Sequence, residues 1–269
     1  MLPAKAPTYT VISCHFGDLF WISHLARSLQ DWGDLRIHDF VVVDQSRESS
    51  EVLSQLPGVS QVLSFDYDEE QISLGGHDHP GSLDKALATR HFTTSHVIIF
   101  DSDAFPIMDG WLDDLSDVVL AELPDSGGEL SHPCFMVFPV EAIPKISFSE
   151  GFLDRHDHLT RFRFDTGRMV AKQLRSEGYT VVMSEAERGF NGFRGDLYLA
   201  GKVYHHGHAS HTAAPMHLRI FTSAKTEELW RKKIARRQWG LSPLDYLMLG
   251  YHYLSRRIAS KLRKGRGKG

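Results

Sequence analysis

Apolar residues arrive along this chain in short unbroken runs, separated by stretches in which they recur at helical spacing. Tyr9-Thr10-Val11-Ile12-Ser13-Cys14 is β-branched and apolar and closes on His15-Phe16-Gly17-Asp18, the pattern of a buried strand and a turn. Leu19, Ile22, Leu25, Ala26 and Leu29 then predict a helix, with Asp18 placed to cap it. Asp39-Phe40-Val41-Val42-Val43-Asp44 predicts a second buried strand ending in a carboxylate, and Gln61 to Phe65 a weaker third. A loop rich in glycine and histidine, Gly75 to Ser82, leads into a helix from Leu83 to His91. His96-Val97-Ile98-Ile99-Phe100 carries the strongest strand signal and runs straight into Asp101-Ser102-Asp103. Beyond it the pattern predicts a helix from Trp111 to Leu123, a turn at Ser126-Gly127-Gly128 and an apolar strand from Cys134 to Val140. Phe148 to Arg163 reads as a loop with short helical pieces. Thr166 to Glu177 reads as a helix ended by Gly178, and Tyr179 to Met183 as a returning strand.

Strands that are apolar throughout and alternate with helices imply an α/β fold with a mainly parallel central sheet covered on both faces. Ligands of such sheets sit beyond the carboxyl ends of the strands, which is where Asp44 and Asp101 fall.

Composition adds an asymmetry. The formal net charge is −4, yet from Lys225 onward thirteen Lys and Arg face three acidic residues, leaving 17 basic and 31 acidic residues on the first 224. An acidic body with a basic tail predicts a tail that meets something anionic. Two cysteines, Cys14 and Cys134, do not make a disulfide framework and suit a reducing compartment. No apolar run reaches the roughly eighteen residues a membrane helix needs, and the N-terminus lacks the apolar stretch of a secretory signal. The expectation is a cytoplasmic protein.

The chemistry concentrates at Asp101-Ser102-Asp103. A turn at a strand end can swing two carboxylates toward one ion, and hard oxygen ligands suit Mg2+ or Mn2+ shared with phosphate oxygens. Such an ion would neutralise a diphosphate leaving group. Solvated turn carboxylates are the plainer alternative; the apolar strand directly ahead of them argues for a built site.

With these residues in view, the chain resembles the family 2 glycosyltransferases of the GT-A fold, from about Val11 to Ser210. The resemblance implies an inverting, metal-dependent hexosyltransferase using a nucleoside diphosphate sugar. It implies a donor-binding set of Ser13, Asp44, His79, Asp84, Asp101 and Ser102, with Asp44 toward the nucleotide base and Asp101 toward the ribose. It implies metal ligation by Asp101, Asp103 and a histidine following the last strand of the catalytic domain, which maps best onto His205, with His206 next. The imidazole tilts the ion toward Mn2+. Phe164-Asp165-Thr166-Gly167 fits the position where the family carries a Glu-Asp pair, so Asp165 is the implied catalytic base, with Asp154 and Asp157 in reserve. Asp165 could equally cap the helix that follows.

Other readings stand beside this one. A zinc site built from His205, His206, His208 and His211 lacks cysteine support and any H-E-x-x-H pattern. The aromatics Trp111, Phe148, Phe152, Phe162 and Phe164 fit a core better than sugar stacking, Trp111 being the one close enough to D-x-D to suggest otherwise.

The expected organisation is a catalytic domain over residues 1–224 and a basic amphipathic helical extension over 225–269. Leu229, Trp230, Ile234 and Trp239 mixed with Arg231, Lys232, Lys233, Arg236 and Arg237 suit an anionic membrane surface and a glycan or lipid-linked acceptor. A helix packed on the catalytic domain is the alternative. Nucleic acid is not expected as a partner, because no recognition fold accompanies the charge. The rival functions are a catalytically inactive GT-A scaffold, favoured by the missing Glu at position 164, and a sugar nucleotidyltransferase. The latter is disfavoured because Ser13 to Asp18 offers no basic residue for a phosphate loop.

Overall fold

The structure is a computed structural model that describes residues 6–16, 19–46, 50–65, 79–123, 126–150, 166–188, 195–206 and 231–236. The chain forms two compact units, Met1–Arg188 with Leu197–Ser210, and Gly189–Asp196 with His211–Gly269. The first holds the central sheet and the candidate site. In the second, residues 231–236 include a helical turn in which Ile234 is buried.

The central sheet has seven strands in the order β3-β2-β1-β4-β7-β6-β8. These are β1 (Tyr9–His15), β2 (Ile37–Asp44), β3 (Val59–Ser64), β4 (His96–Asp101), β6 (Val119–Glu122), β7 (Ser131–Pro139) and β8 (Val182–Ser184). Strands β3, β2, β1 and β4 are mutually parallel, and so are β6 and β8; β7 runs antiparallel to both β4 and β6. The result is the mixed α/β architecture the apolar runs predict, with a mostly parallel central sheet. A second sheet joins β5 (Ala104–Pro106), β11 (Val203–His205), β10 (Asp196–Tyr198) and β9 (Glu187–Arg188) in that order.

Alternation along the strands divides the sheet into two buried faces. Ile12, Cys14, Val41, Val43, Val97, Ile99, Met136 and Phe138 line one face. They pack with Leu83, Ala86 and Leu87 of α3 (His79–Thr89) and with Val170, Ala171 and Leu174 of α4 (Val170–Ser176). The intervening residues Val11, Phe40, Val42, Ile98 and Phe100 are equally buried on the other face. Helix α1 (Leu19–Trp32) buries Trp21, Ile22, Leu25, Ala26 and Leu29. A short helix, α2 (Ser50–Ser54), leads from β2 toward β3.

The segment from Trp111 departs from expectation. It is a single 3-10 turn, Trp111–Asp114, followed by β6, not a helix to Leu123. Val118, Val119, Leu120 and Ala121 are fully buried, and a β-branched run of that length suits a strand slot between β7 and β8 better than a helix. Trp111 is itself wholly buried, its ring 5.8 Å from that of Phe100 and its indole N–H donated to the Trp32 carbonyl at 2.7 Å, which removes it from sugar stacking. Phe148 is likewise a core residue; Phe152, Phe162 and Phe164 lie outside the described residues.

Candidate metal and donor site

The register of the parallel strands sets the frame. Asp44 pairs with His15, and Asp101 with Cys14, so both carboxylates end their strands on the same edge of the sheet. A turn at Ser102 and Asp103 follows β4, and β5 then pairs antiparallel with β11 so that Ala104 stands opposite His205. The His206 N–H donates to the Asp103 carbonyl at 3.0 Å, extending that ladder into the D-x-D turn. Two segments distant in sequence are thereby fixed together by backbone hydrogen bonds.

Asp101, Asp103 and His205 converge. His205 Nε2 lies 3.5 Å from Asp103 Oδ1 and 4.0 Å from Asp101 Oδ2. The three residues can each offer one ligand atom with all such atoms within 4.8 Å of one another. Asp101 Oδ1 is buried and has no hydrogen-bond partner among the described residues. A buried carboxylate oxygen left without a donor is costly, and a cation is the chemical group that would satisfy it. Two carboxylates and one imidazole suit Mn2+ or Mg2+, so the residues present fit such an ion.

The neighbouring sequence repeats the choice between His205 and His206 and the geometry separates them. His206 Nδ1 shares a 2.9 Å hydrogen bond with the Tyr204 hydroxyl, and its ring sits 4.3 Å from Trp21 of α1. His205 faces the carboxylates. His208 and His211 lie outside the described residues.

Electrostatics mark the same place. Burial pushes the Asp101 carboxyl above the ordinary carboxylate value, with Asp103 adding to the rise and His79, His205 and His132 opposing it. Burial works against charge on His205, yet the Cys134 and Asp103 side chains hold its pKa well above the usual imidazole value. The Cys134 thiol is pulled below its ordinary value by His132 and His205, against the effect of burial.

The remaining expected site residues have definite places. His79, at the start of α3, brings Nε2 to 3.9 Å from Asp101 Oδ1, while its Nδ1 is 3.3 Å from the Thr166 hydroxyl. Asp84, one turn further, accepts from the Phe148 N–H at 2.7 Å, the Ser149 N–H at 3.1 Å and the Ser147 hydroxyl at 3.0 Å. Its carboxylate thus fastens the loop after β7. Asp44 is also committed: the Ser46 N–H (2.9 Å) and the hydroxyls of Ser46 and Ser50 (both 2.6 Å) donate to it, holding its pKa down although burial pushes the other way. Three of about four acceptor positions are taken, and one on Oδ2 is left for a nucleotide base. Ser13 is fully buried, with its Oγ lacking a hydrogen-bond partner among the described residues. Ser102 is half-buried in the turn between the two aspartates. Asp165, Asp154 and Asp157 lie outside the described residues.

Two residues that the sequence pattern did not single out stand in the same place. His132 and Cys134 lie on β7, which pairs with β4 so that Phe135 faces Phe100. With His205 they form a second group of metal-ligating atoms within 4.8 Å of one another. Their types and close spacing were a visible signal, but the register of β7 is irregular between His132 and Met136, so simple strand alternation does not place them. That the pair adjoins Asp101 depends on an antiparallel pairing no local pattern announces.

No family model and no curated protein matches the chain. Among solved structures it is similar to the glucosyl-3-phosphoglycerate synthase from Mycobacterium tuberculosis in complex with phosphoglyceric acid. That likeness has a TM-score of 0.39 and 15% identity, covering 54% of this chain and 61% of that one.

Proposed function

We propose that this chain is a metal-dependent glycosyltransferase of the GT-A type, moving a hexose-type sugar from a nucleoside diphosphate sugar to a glycan or lipid-linked acceptor. The observation that carries the reading is the Asp101–Asp103–His205 group beyond the carboxyl end of the central strand, with a buried carboxylate oxygen that accepts no hydrogen bond from any described group. In this reading Asp101, Asp103 and His205 hold Mn2+ or Mg2+, and the imidazole favours manganese. The bound ion supplies charge neutralisation to the departing diphosphate. Ser13, Asp44 and Ser102 orient the nucleoside, His79 faces the donor phosphates, and Asp84 acts indirectly by holding the loop that follows β7. Asp165 accepts the proton of the acceptor hydroxyl as it attacks the anomeric carbon from the face opposite the diphosphate, giving inversion.

Residues 1–224 form the catalytic part of this reading, and the basic 225–269 segment meets an anionic membrane surface on the cytoplasmic side. No helix among the described residues is long and apolar enough to cross a membrane. Flotation with anionic vesicles tests the attachment: binding that disappears with residues 225–269 supports it, and absence of binding by the whole chain sinks it.

The deciding experiment is binding and slow hydrolysis across a panel of nucleotide sugars, with Mn2+ and with EDTA, for the native chain and Asp103→Ala. One donor bound and hydrolysed in a metal-dependent way, with loss in the variant, supports the transferase. Failure to bind any donor in the presence of metal moves the inactive scaffold to the front.

A further inference from the structure

His132, Cys134 and His205 make a donor set unlike the one just described. Thiolate and imidazole are soft and borderline ligands, which select zinc-class ions over Mg2+ and Mn2+. Cys134 is fully buried and His205 nearly so, whereas His132 is partly open, so the group has a protected sulfur and a side from which an ion can enter. The His132 and His205 rings have centroids 5.1 Å apart, and all three ligand atoms can lie within 4.8 Å of one another. Three protein ligands on a metal with a tetrahedral preference leave a fourth position, and Asp103 Oδ1 stands 3.5 Å from His205 Nε2.

We propose that His132, Cys134 and His205 form a zinc-class metal site that shares His205 with the carboxylate pair. His132 Nδ1 now accepts the Cys134 backbone N–H at 3.1 Å. Coordination through either ring nitrogen gives that bond up: binding at Nδ1 uses its lone pair, and binding at Nε2 requires a proton on Nδ1. The rearrangement is confined to one imidazole on β7. Because His205 serves both groups, an ion held by sulfur withdraws the imidazole from the carboxylates. Zinc thereby weakens binding of manganese at Asp101 and Asp103. Neither the soft site nor its test requires a sugar donor.

Cobalt titration of the full, metal-free chain reads the sulfur directly, because a Co2+–thiolate bond gives an intense near-ultraviolet charge-transfer band. The expected result is a band at one equivalent in the native chain and in Cys14→Ser, abolished by Cys134→Ser and displaced by stoichiometric Zn2+. A native chain without the band, or a band that persists in Cys134→Ser, overturns the site. Should Cys134→Ser fail to fold, X-ray absorption on the zinc-loaded native chain decides: a sulfur scatterer at about 2.3 Å supports the proposal, and a shell of nitrogen and oxygen alone overturns it. A sound cobalt band with no donor binding would leave this site standing while the transferase falls.

Discussion

His205 Nε2 lies 3.5 Å from Asp103 Oδ1, although His205 ends β11, Asp103 sits in the turn just ahead of β5, and the two are far apart in sequence. What holds them there is backbone: the β5–β11 ladder and the His206 N–H donated to the Asp103 carbonyl at 3.0 Å. The Asp103 carboxylate is therefore dispensable to the geometry that positions it.

Asp103→Ala should keep the fold and lose the ion. The expected outcome is an unfolding temperature within about 2 °C of native in metal-free buffer, since the change touches no ladder bond. Mn2+ affinity should fall by at least 10-fold and donor turnover by on the order of 100-fold or more. Manganese titration followed by electron paramagnetic resonance, with a thermal melt on the same sample, checks both. A large loss of stability with unchanged affinity would make Asp103 a structural residue.

Proton competition at His205 gives a pH dependence. Against burial, Cys134 and Asp103 raise the His205 pKa well above its usual value, so the folded chain holds the proton that the metal must displace. Mn2+ affinity should keep climbing above pH 7, where an ordinary histidine would already be neutral. The sign for metal-free stability is opposite. A raised imidazole pKa stabilises the fold fully below about pH 6.5, and that contribution is lost as pH rises through the folded value. Affinity and melting temperature measured from pH 6 to 9 should therefore move in opposite directions, and His205→Gln should flatten both.

Asp101 shows the cost of readiness for an ion. Its folded pKa is raised by burial, with Asp103 adding to it, so its charged form is disfavoured in the metal-free protein. The stability tied to its proton is full below the ordinary carboxylate value and lost as pH rises through the folded one. Asp101→Asn keeps the shape without the charge. It should raise the metal-free unfolding temperature at pH 7 by roughly 2–4 °C, the shift about 1 kcal/mol makes in a domain of this size, while abolishing Mn2+ binding. A variant that melts lower than native in EDTA would remove electrostatic strain at Asp101 from the account.

The central sheet was legible because its strands are buried on both faces: β2 and β4 read as continuous Val, Ile and Phe runs that admit no other element of that length. The Asp101–Asp103 turn was legible for the same reason, since a carboxylate pair after such a strand must emerge at the sheet edge. β6 was hidden because four buried residues following Trp111–Asp114 continue an apolar spacing that a helix would also show. His132 and Cys134 were hidden for a different reason. Their residue types are visible, but their position beside Asp101 follows from β7 reversing direction between β4 and β6, a pairing set by tertiary contacts and not by local pattern. Asp44 and Asp84 show the converse: each was legible as a carboxylate near the site, while the hydroxyl and amide donors that occupy it came from loops and from the start of α2.

Asp84 and Gly167 grip the same loop, and their variants separate scaffolding from donor contact. Asp84 accepts three hydrogen bonds from residues 147–149, and the Gly167 N–H donates to the Phe148 carbonyl at 3.1 Å. Gly167 has φ of 68°, and a Cβ there would stand 2.8 Å from Phe148 Cδ1 and 3.1 Å from Met136 Cε, all within the buried core. Gly167→Ala combines left-handed backbone strain with overpacking against a fixed ring, for an expected loss of about 2–4 kcal/mol. Asp84→Ala leaves two amides and a hydroxyl without their acceptor, for an expected loss of about 2–3 kcal/mol. If Asp84 acts only through the loop, both variants should lower the urea midpoint, and each folded fraction should retain a donor Kd within about threefold of native. A donor Kd weakened on the order of 100-fold in Asp84→Ala, at a urea midpoint no lower than native, would instead make Asp84 a direct donor ligand. The Ser147, Phe148 and Ser149 hydrogen bonds would then be its secondary role.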